Sequence, residues 1–372
     1  MTEIFRLQEL FPNISLTDEQ NISFHKALSI GESYAKKITR PRACLICNST
    51  NNRFCNSHSV PARCLRAIAK NGDVKVFNGL IKIPAIDDDK GINEARTFRL
   101  ICRECDEKVF KDYETFEKYP VANPSDKILH EIVLKNYLKY YHKKAIEGKA
   151  FPKMLDNLQI PNQNLLELIL KFNDRDKKDA FKSFCKVKKL LSSNTNGYYR
   201  ILEYNRLPYT FPFAFQSNIS LITGFDGEVI NDIFNSHKKY DLQDLHICIF
   251  PEKDYTYVIV FYQKNFQRYS QFSRHYRKLN LEERLKLLLF IILKYSEDYF
   301  YSHSIQNIET NPFVEEAITS TTLMLCDFDD KKDSKLKKCI QIYDLNNYRK
   351  LPNFFSNNFK ETNKNKDDRI NN

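Results

Sequence analysis

The sequence predicts an α+β protein: a helical, cysteine-rich N-terminal half is followed by a C-terminal α+β half built on an antiparallel sheet. Three observations predict this. Long stretches before residue 191 carry apolar residues at three- and four-residue spacing. Two Cys-x-x-Cys pairs frame an irregular stretch of chain. After a polar break at "SSNTNGYY", the composition turns to the β-branched and aromatic runs of strands.

In chain order, "LTDEQNISFHKALSIGESYAKKI" sets Thr17 and Gln20 at capping-box spacing and contains no proline, which predicts a helix over about Asp18 to Lys37. His25 is an ordinary residue of that helix. Residues 1–43 are therefore an N-terminal helical segment, broken at Pro41. Residues 44–120 are irregular, with short β-like runs at "DVKVF" and "LIKIPAI" and a loop turning into a helix at "CRECDEKVFKDYETFEKY", and read as one small metal-dependent unit. Residues 121–191 form a helical connector whose first helix covers about Ser125 to Gly148. Its late lysines, with Lys139, His142, Lys143 and Lys144 together, form either a solvated face or one that contacts phosphates; His130 and His142 are too far apart to share a metal. In residues 198–350, "TFPFAFQSNISLITGF" and "DLHICIFPEKDYTYVIVFYQK" have strand composition, and "PEKD" between two β runs predicts a hairpin. "LNLEERLKLLLFIILKYSEDYFYSHS" predicts an apolar helix packed on that sheet. Residues 351–372 run into polar low-complexity sequence and are expected to be a disordered tail.

Composition narrows the partners. Lys and Arg number 58 against 47 Asp and Glu, a formal charge of +11 that suits a polyanion such as nucleic acid without naming one. No apolar run approaches the roughly 18 residues of a membrane span, so no membrane partner is expected. "MTEIFRLQEL" carries acids early and no apolar core of a signal peptide, so a cytoplasmic location is expected. In such a reducing compartment the ten cysteines are not expected to pair as disulfides; clustered ones point to a metal, and Cys185, Cys248, Cys326 and Cys339, each alone, read as packing residues. The chain holds no Gly-rich phosphate loop and no GxSxG elbow, which argues against nucleotide-loop and serine-hydrolase chemistry.

The strongest spacing signal is Cys44 and Cys47 with Cys102 and Cys105, separated by 54 residues. A two-residue gap lets both thiolates of a knuckle meet one tetrahedral ion, and two knuckles close a four-cysteine structural Zn2+ site. The second pair opens a helix, where the dipole favours thiolates.

Between the knuckles stands "SHSVP", from Ser57 to Pro61, and Asp106 directly follows the last cysteine. In this order the motifs resemble the HNH family of endonucleases (ββα-metal or His-Me finger, treble-clef type), whose usual pattern is an Asp-His strand ending in Pro and a CxxCHxxK helix. The resemblance covers residues 44–119, about a fifth of the chain. It implies a zinc-stapled ββα-metal module with flanking helices, and DNA phosphodiester hydrolysis with His58 as general base. It also implies Mg2+ or Mn2+ held near Asp106, with Ser57 and Asn56 as further oxygen donors. Such hydrolysis needs a base for water, a cation at the scissile phosphate and stabilisation of the leaving oxygen, and a neutral histidine with one hard ion suffices. Two departures stand out: Ser57 replaces the usual aspartate, and Thr97 stands where an asparagine is usual. Asn93, Glu114 and the acids Asp87 to Asp89 are other oxygen sources. Arg53, Arg63 and Arg66 form a basic fringe suited to binding nucleic acid, and Cys55 and Cys64 read as buried thiols. The C-terminal aromatics interleaved with Lys264, Arg268, Arg274 and Arg277 read either as base-stacking residues or as one side of a core. The expected partner is DNA, with RNA open and bacterial defence against phage or plasmids the setting that the family suggests. Because one such site cuts one strand, cutting both takes a homodimer or two visits. The alternative reading is a non-catalytic, zinc-stapled module that binds nucleic acid or protein.

Overall fold

The computed structural model describes residues 18–50, 53–76, 89–91, 97–158, 163–193, 195–235, 237, 239–296, 298–305, 308, 311–319, 332–356 and 358. Asn93, Cys326, Asp87, Asp88 and the run at "LIKIPAI" lie outside these residues. Helix α1 (Asp18–Ile38) is followed by the short strand β1 (Ser57–His58), helix α2 (Ala62–Ile68), strands β2 (Asp73–Val76), β3 (Asp89–Gly91) and β4 (Thr97–Phe98), and helix α3 (Arg103–Val109). Two long helices, α4 (Asp126–Leu158) and α5 (Gln163–Ser192), lead to strands β5 (Tyr199–Leu207), β6 (Phe213–Ile219), β7 (Leu245–Pro251) and β8 (Thr256–Gln263). The chain continues through α6 (Ser270–Tyr276), α7 (Leu281–Tyr295), β9 (Tyr299–Tyr301), α8 (Pro312–Thr319) and α9 (Lys332–Ile342). The class is α+β with an antiparallel sheet. Among the described residues no helix is long and apolar enough to cross a membrane.

Seven strands form one antiparallel sheet in the order β3-β2-β9-β6-β7-β8-β5. The expected hairpin is there: β7 and β8 pair from Leu245↔Tyr262 to Pro251↔Thr256, closed by a bond from the Glu252 amide to the Tyr255 carbonyl. Both faces of the sheet are covered, which explains why these strands read as unbroken apolar runs rather than alternating ones. Odd positions Phe215, Ile247 and Ile249, with Val258 and Val260 of β8, pack in a core with α7. Even positions Ala214, Cys248 and Phe250, with Ile259 and Phe261 of β8, pack in a second core with α4 and the cysteine-rich segment. Helix α7 is started by a capping box between Asn280 and Glu283, and it is buried almost throughout.

The sheet crosses the boundaries drawn from sequence. Strand β2 comes from the 44–120 segment, yet it pairs with β9 through Lys75↔Tyr301 and Val76↔Phe300. A two-stranded ribbon of β2 and β3 alone is marginal, and joining a larger sheet satisfies its inner edge. The connecting helix α4 also runs on to Leu158, past the expected end at Gly148 and through Pro152. Gly148 is there for close approach to α5: a Cβ would stand 2.7 Å from Asn173 Oδ1. Part of the stretch expected to be a disordered tail is packed instead: Leu351, Phe354 and Phe355 are buried and Phe355 stacks on Phe211 with ring centroids 5.0 Å apart.

The late lysines of α4 are neither a solvated nor a phosphate-binding face. Helix α4 packs against α1, α5 and the sheet. Lys139 donates to the Gln216 carbonyl at 2.8 Å and lies 3.5 Å from Asp298, while Lys144 pairs with Glu147. Burial pushes His142 down to about 4, so it stays neutral beside the Phe98 ring. His130 bonds the Tyr199 hydroxyl and the Thr195 carbonyl.

Phe250 of the sheet packs against the cysteine-rich segment within their common core, stacking on Phe116 at 5.3 Å and lying 6.2 Å from Tyr113. Phe250→Ala is expected to cost about 3–5 kcal/mol. Urea denaturation followed by circular dichroism should show one transition moved to lower urea; an early transition confined to part of the molecule would contradict a shared core.

Candidate metal centre and the adjoining carboxylate site

The two cysteine knuckles meet because the chain crosses itself at their bases. Leu45 N–H bonds the Leu100 carbonyl, Cys55 N–H the Ile101 carbonyl, and Arg103 N–H the Arg53 carbonyl. The first knuckle closes through the Asn48 amide to the Cys44 carbonyl at 2.8 Å, with Asn48 at φ 59°, a left-handed conformation that asparagine tolerates. The ligand atoms of Cys44, Cys47, Cys102 and Cys105 all lie within 4.8 Å of one another. Zinc–sulfur bonds of about 2.3 Å set tetrahedral sulfur–sulfur edges near 3.8 Å, and Cys47 Sγ and Cys102 Sγ stand 3.8 Å apart. The Cys102 amide also donates to Cys44 Sγ at 3.3 Å, an interaction that favours thiolate. Four sulfurs in this arrangement can hold one soft tetrahedral ion, and the donor set suits zinc. Burial pushes the Cys44 and Cys105 thiols up, so uptake of an ion there releases protons.

Beside this cluster, β1 and β4 form a two-stranded antiparallel ribbon that pairs Ser57 with Phe98 and His58 with Thr97. Thr97 therefore stands directly across from His58. Helix α3 leaves the second knuckle with Asp106 in its first turn. Ser57 Oγ donates to Asp106 Oδ1 at 2.7 Å, which brings the "SHSVP" strand and the Cys105-Asp106 helix start to one place. Ser57 is fully buried, His58 half-buried and Asn56 exposed.

A residue not singled out from sequence completes the site. Lys135 of α4, with its side chain 1% exposed, donates to the same Asp106 Oδ1 at 2.8 Å and to Glu114 Oε1 at 3.3 Å. Its ammonium also lies 4.1 Å from the Phe110 ring centroid. Burial pushes the Asp106 carboxyl up, but the Lys135 charge and the bonds from Lys135, Ser57 and Cys55 outweigh it and hold it below its ordinary value. Cys55 responds to the same carboxylate: burial first, and then the Asp106 charge, push its thiol up to about 12. The sequence did hold one signal for Lys135: it falls seven residues after Ile128 and three after Ile132, in phase with the apolar stripe of its helix.

The basic fringe divides. Arg53 and Arg66 are exposed. Arg63 is instead committed within the molecule: Nε and Nη2 donate to Glu252 at 2.6 and 2.8 Å, and the same fork reaches Glu117. Its guanidinium lies over the Phe116 ring at 4.8 Å, so it ties the cysteine-rich segment to the β7–β8 turn rather than facing a phosphate. In the C-terminal region the aromatics are core: Phe261 and Tyr262 are buried, and Arg268 donates to Asn231 and the Asp241 carbonyl.

No protein-family model, curated protein or solved structure matches this chain.

Two outcomes follow from the site. Replacing Cys44 and Cys102 together by serine should abolish a metal content of about one zinc per chain, measured by elemental analysis, and with it the folding of the 44–120 segment. The second concerns Glu131, which accepts the Asp112 and Tyr113 amides and so shapes the turn before Glu114. Burial pushes its carboxyl up to about 7. The native state then keeps a proton that the unfolded chain releases at its lower, ordinary value. This contribution to stability is full below that lower value and is lost as pH rises through about 7. Glu131→Gln should reduce the loss of denaturation free energy between about pH 5 and about pH 8 relative to wild type.

Proposed function

We propose that the chain is an HNH-type endonuclease that hydrolyses DNA phosphodiester bonds, with His58 as general base. One observation carries the reading. The Ser57 to Asp106 hydrogen bond joins the two halves of the family's motif, far apart in sequence, beside a four-cysteine cluster. Zinc in that cluster would staple the β1–β4 ribbon to α3 and fix His58 relative to Asp106. His58 would take the proton of the attacking water as its oxygen bonds phosphorus, and the leaving oxygen would depart and be protonated as the phosphorus–oxygen bond breaks. Exposed Arg53 and Arg66 would meet the DNA backbone, in keeping with the +11 charge.

Mg2+ or Mn2+, which the resemblance implies, would be held by Asp106 with Ser57 and Asn56, and would supply positive charge at the scissile phosphate. The arrangement described here does not fit that ion, because Asp106 Oδ1 already accepts from a hydroxyl and from a buried ammonium. Among the described residues, the four cysteines are the one group of three or more His, Cys, Asp or Glu poised around a single ion. The same facts favour a second reading, a zinc-stapled nucleic-acid- or protein-binding module in which Lys135 has replaced the metal.

The test is nicking of supercoiled plasmid with Mg2+ or Mn2+ raised to millimolar concentration. His58→Ala should slow nicking by about 10²- to 10⁴-fold, and Asp106→Ala should also impair it. Cleavage surviving His58→Ala in pure protein would overturn the assignment of the base, and DNA binding without cleavage in either metal would favour the module.

A further inference from the structure

We propose that Arg40, Arg42, Arg53, Arg99 and Arg103, gathered where the two cysteine knuckles cross, form a docking surface for the phosphate backbone of duplex DNA on the His58 side of the β1–β4 ribbon. The choice of DNA rests on the endonuclease reading; the surface itself rests on geometry. All five arginines are exposed, and none is tied to an acid among the described residues. Arg63, by contrast, is committed to Glu252 and Glu117. The acids nearest in sequence do little to offset the five charges: on α3, Glu104 is matched by Lys108 at 2.7 Å, and Glu107 is the other exposed acid of that helix.

The backbone holds these side chains together although they come from two distant stretches of chain. The Arg103 amide bonds the Arg53 carbonyl at 3.0 Å. The Leu45 amide bonds the Leu100 carbonyl at 3.2 Å, which brings the segment of Arg40 and Arg42 beside that of Arg99. A second tie joins the same segments: His142, kept neutral by burial and then by the charge of Lys36 in the last turn of α1, has its ring 6.4 Å from that of Phe98. The ribbon itself places Arg99. Thr97 pairs with His58 and shares its face, and the two-residue period of a strand puts Arg99 on that face too. Ser57 and Phe98 point to the other side and are buried. An arginine fork fits phosphate oxygens in pairs. Among the described residues between Arg40 and Val121 no large apolar or aromatic side chain is exposed. The surface therefore offers a single strand no platform on which to stack its bases, and it fits a duplex, whose bases are stacked already.

The experiment measures binding of a fluorescein-labelled DNA duplex of about 20 base pairs to the zinc-loaded full chain, by anisotropy, without Mg2+ or Mn2+ and between about 50 and 200 mM salt. Changing Arg53, Arg99 and Arg103 together to Gln should weaken binding at least about tenfold and flatten the slope of log affinity against log salt by about 2 to 3. Arg42→Gln with Arg99→Gln is the second variant, in case the first fails to fold, and should flatten the slope by about 2. The matching lysine variants keep the charges and should keep most of the slope. Unchanged affinity and slope in the Gln variants overturn the inference, as does a wild type that binds no duplex. So does an equal loss when Arg274, Arg277 and Lys278, exposed in the C-terminal half, are changed to Gln, because the effect is then one of net charge. A single strand that binds as tightly as the duplex, or an RNA duplex that binds more tightly, overturns the choice of partner. Plasmid nicking separates the two claims: a chain that binds through these arginines but never nicks with Mg2+ or Mn2+ sinks the endonuclease reading and leaves the surface standing. Nicking that the Gln variants leave at the wild-type rate, with DNA below saturation, does the reverse.

Discussion

Helix α4 is wedged between the cysteine-rich segment and one face of the antiparallel sheet, and every polar side chain that it carries inward has to find a partner there. Lys135, Asn136, Tyr137 and Lys139 follow one another within little more than a turn and are all buried. Lys135 turns to Asp106, Asn136 to His246, Tyr137 to Asp244, and Lys139 to the Gln216 carbonyl. These bonds fix the angle at which the zinc-type knuckles sit against the sheet. A buried ammonium left without its carboxylate costs several kcal/mol, so the docking and the carboxylate site stand or fall together.

The same requirement explains the use of charge elsewhere. Arg63 of α2 adds a second polar tie between the cysteine-rich segment and the sheet by forking onto Glu252 and Glu117. The sheet supplies apolar area on both faces, and the polar pairs define how the pieces register upon it. Ser57 belongs to this pattern as well: its hydroxyl gives Asp106 a hydrogen bond without adding a second negative charge beside Lys135.

Much of the fold was legible because its signals are local. The uninterrupted pattern of α1, the turn between β7 and β8, and the apolar run of α7 depend on neighbours a few positions apart. The four cysteines were legible for a similar reason, since a two-residue gap is itself the geometry of a knuckle. What escaped were choices of partner between distant segments. Arg63 read as a phosphate ligand because nothing in sequence says that Glu252 will arrive beside it. The lysines of α4 read as a wet face because their covering by α1 and the sheet is decided elsewhere. Phe355 read as part of a tail because its aromatic partners Phe211 and Phe213 lie far back along the chain.

The sequence by itself therefore determined the long helices, the β7–β8 hairpin, the α+β class and the four sulfurs, since spacing and periodicity act over a turn or a knuckle; the segment read as the end of the α7 helix is instead strand β9, because it pairs with the distant β6. Only the tertiary structure decided that the cysteine-rich segment and the C-terminal half share one sheet and one core, and that the carboxylate after the last cysteine meets a lysine rather than open solvent. The physical reason is range. An ammonium and a carboxylate 29 residues apart carry no mark of each other in the chain, and they pair because the packing that buries one leaves the other as its counter-charge within reach.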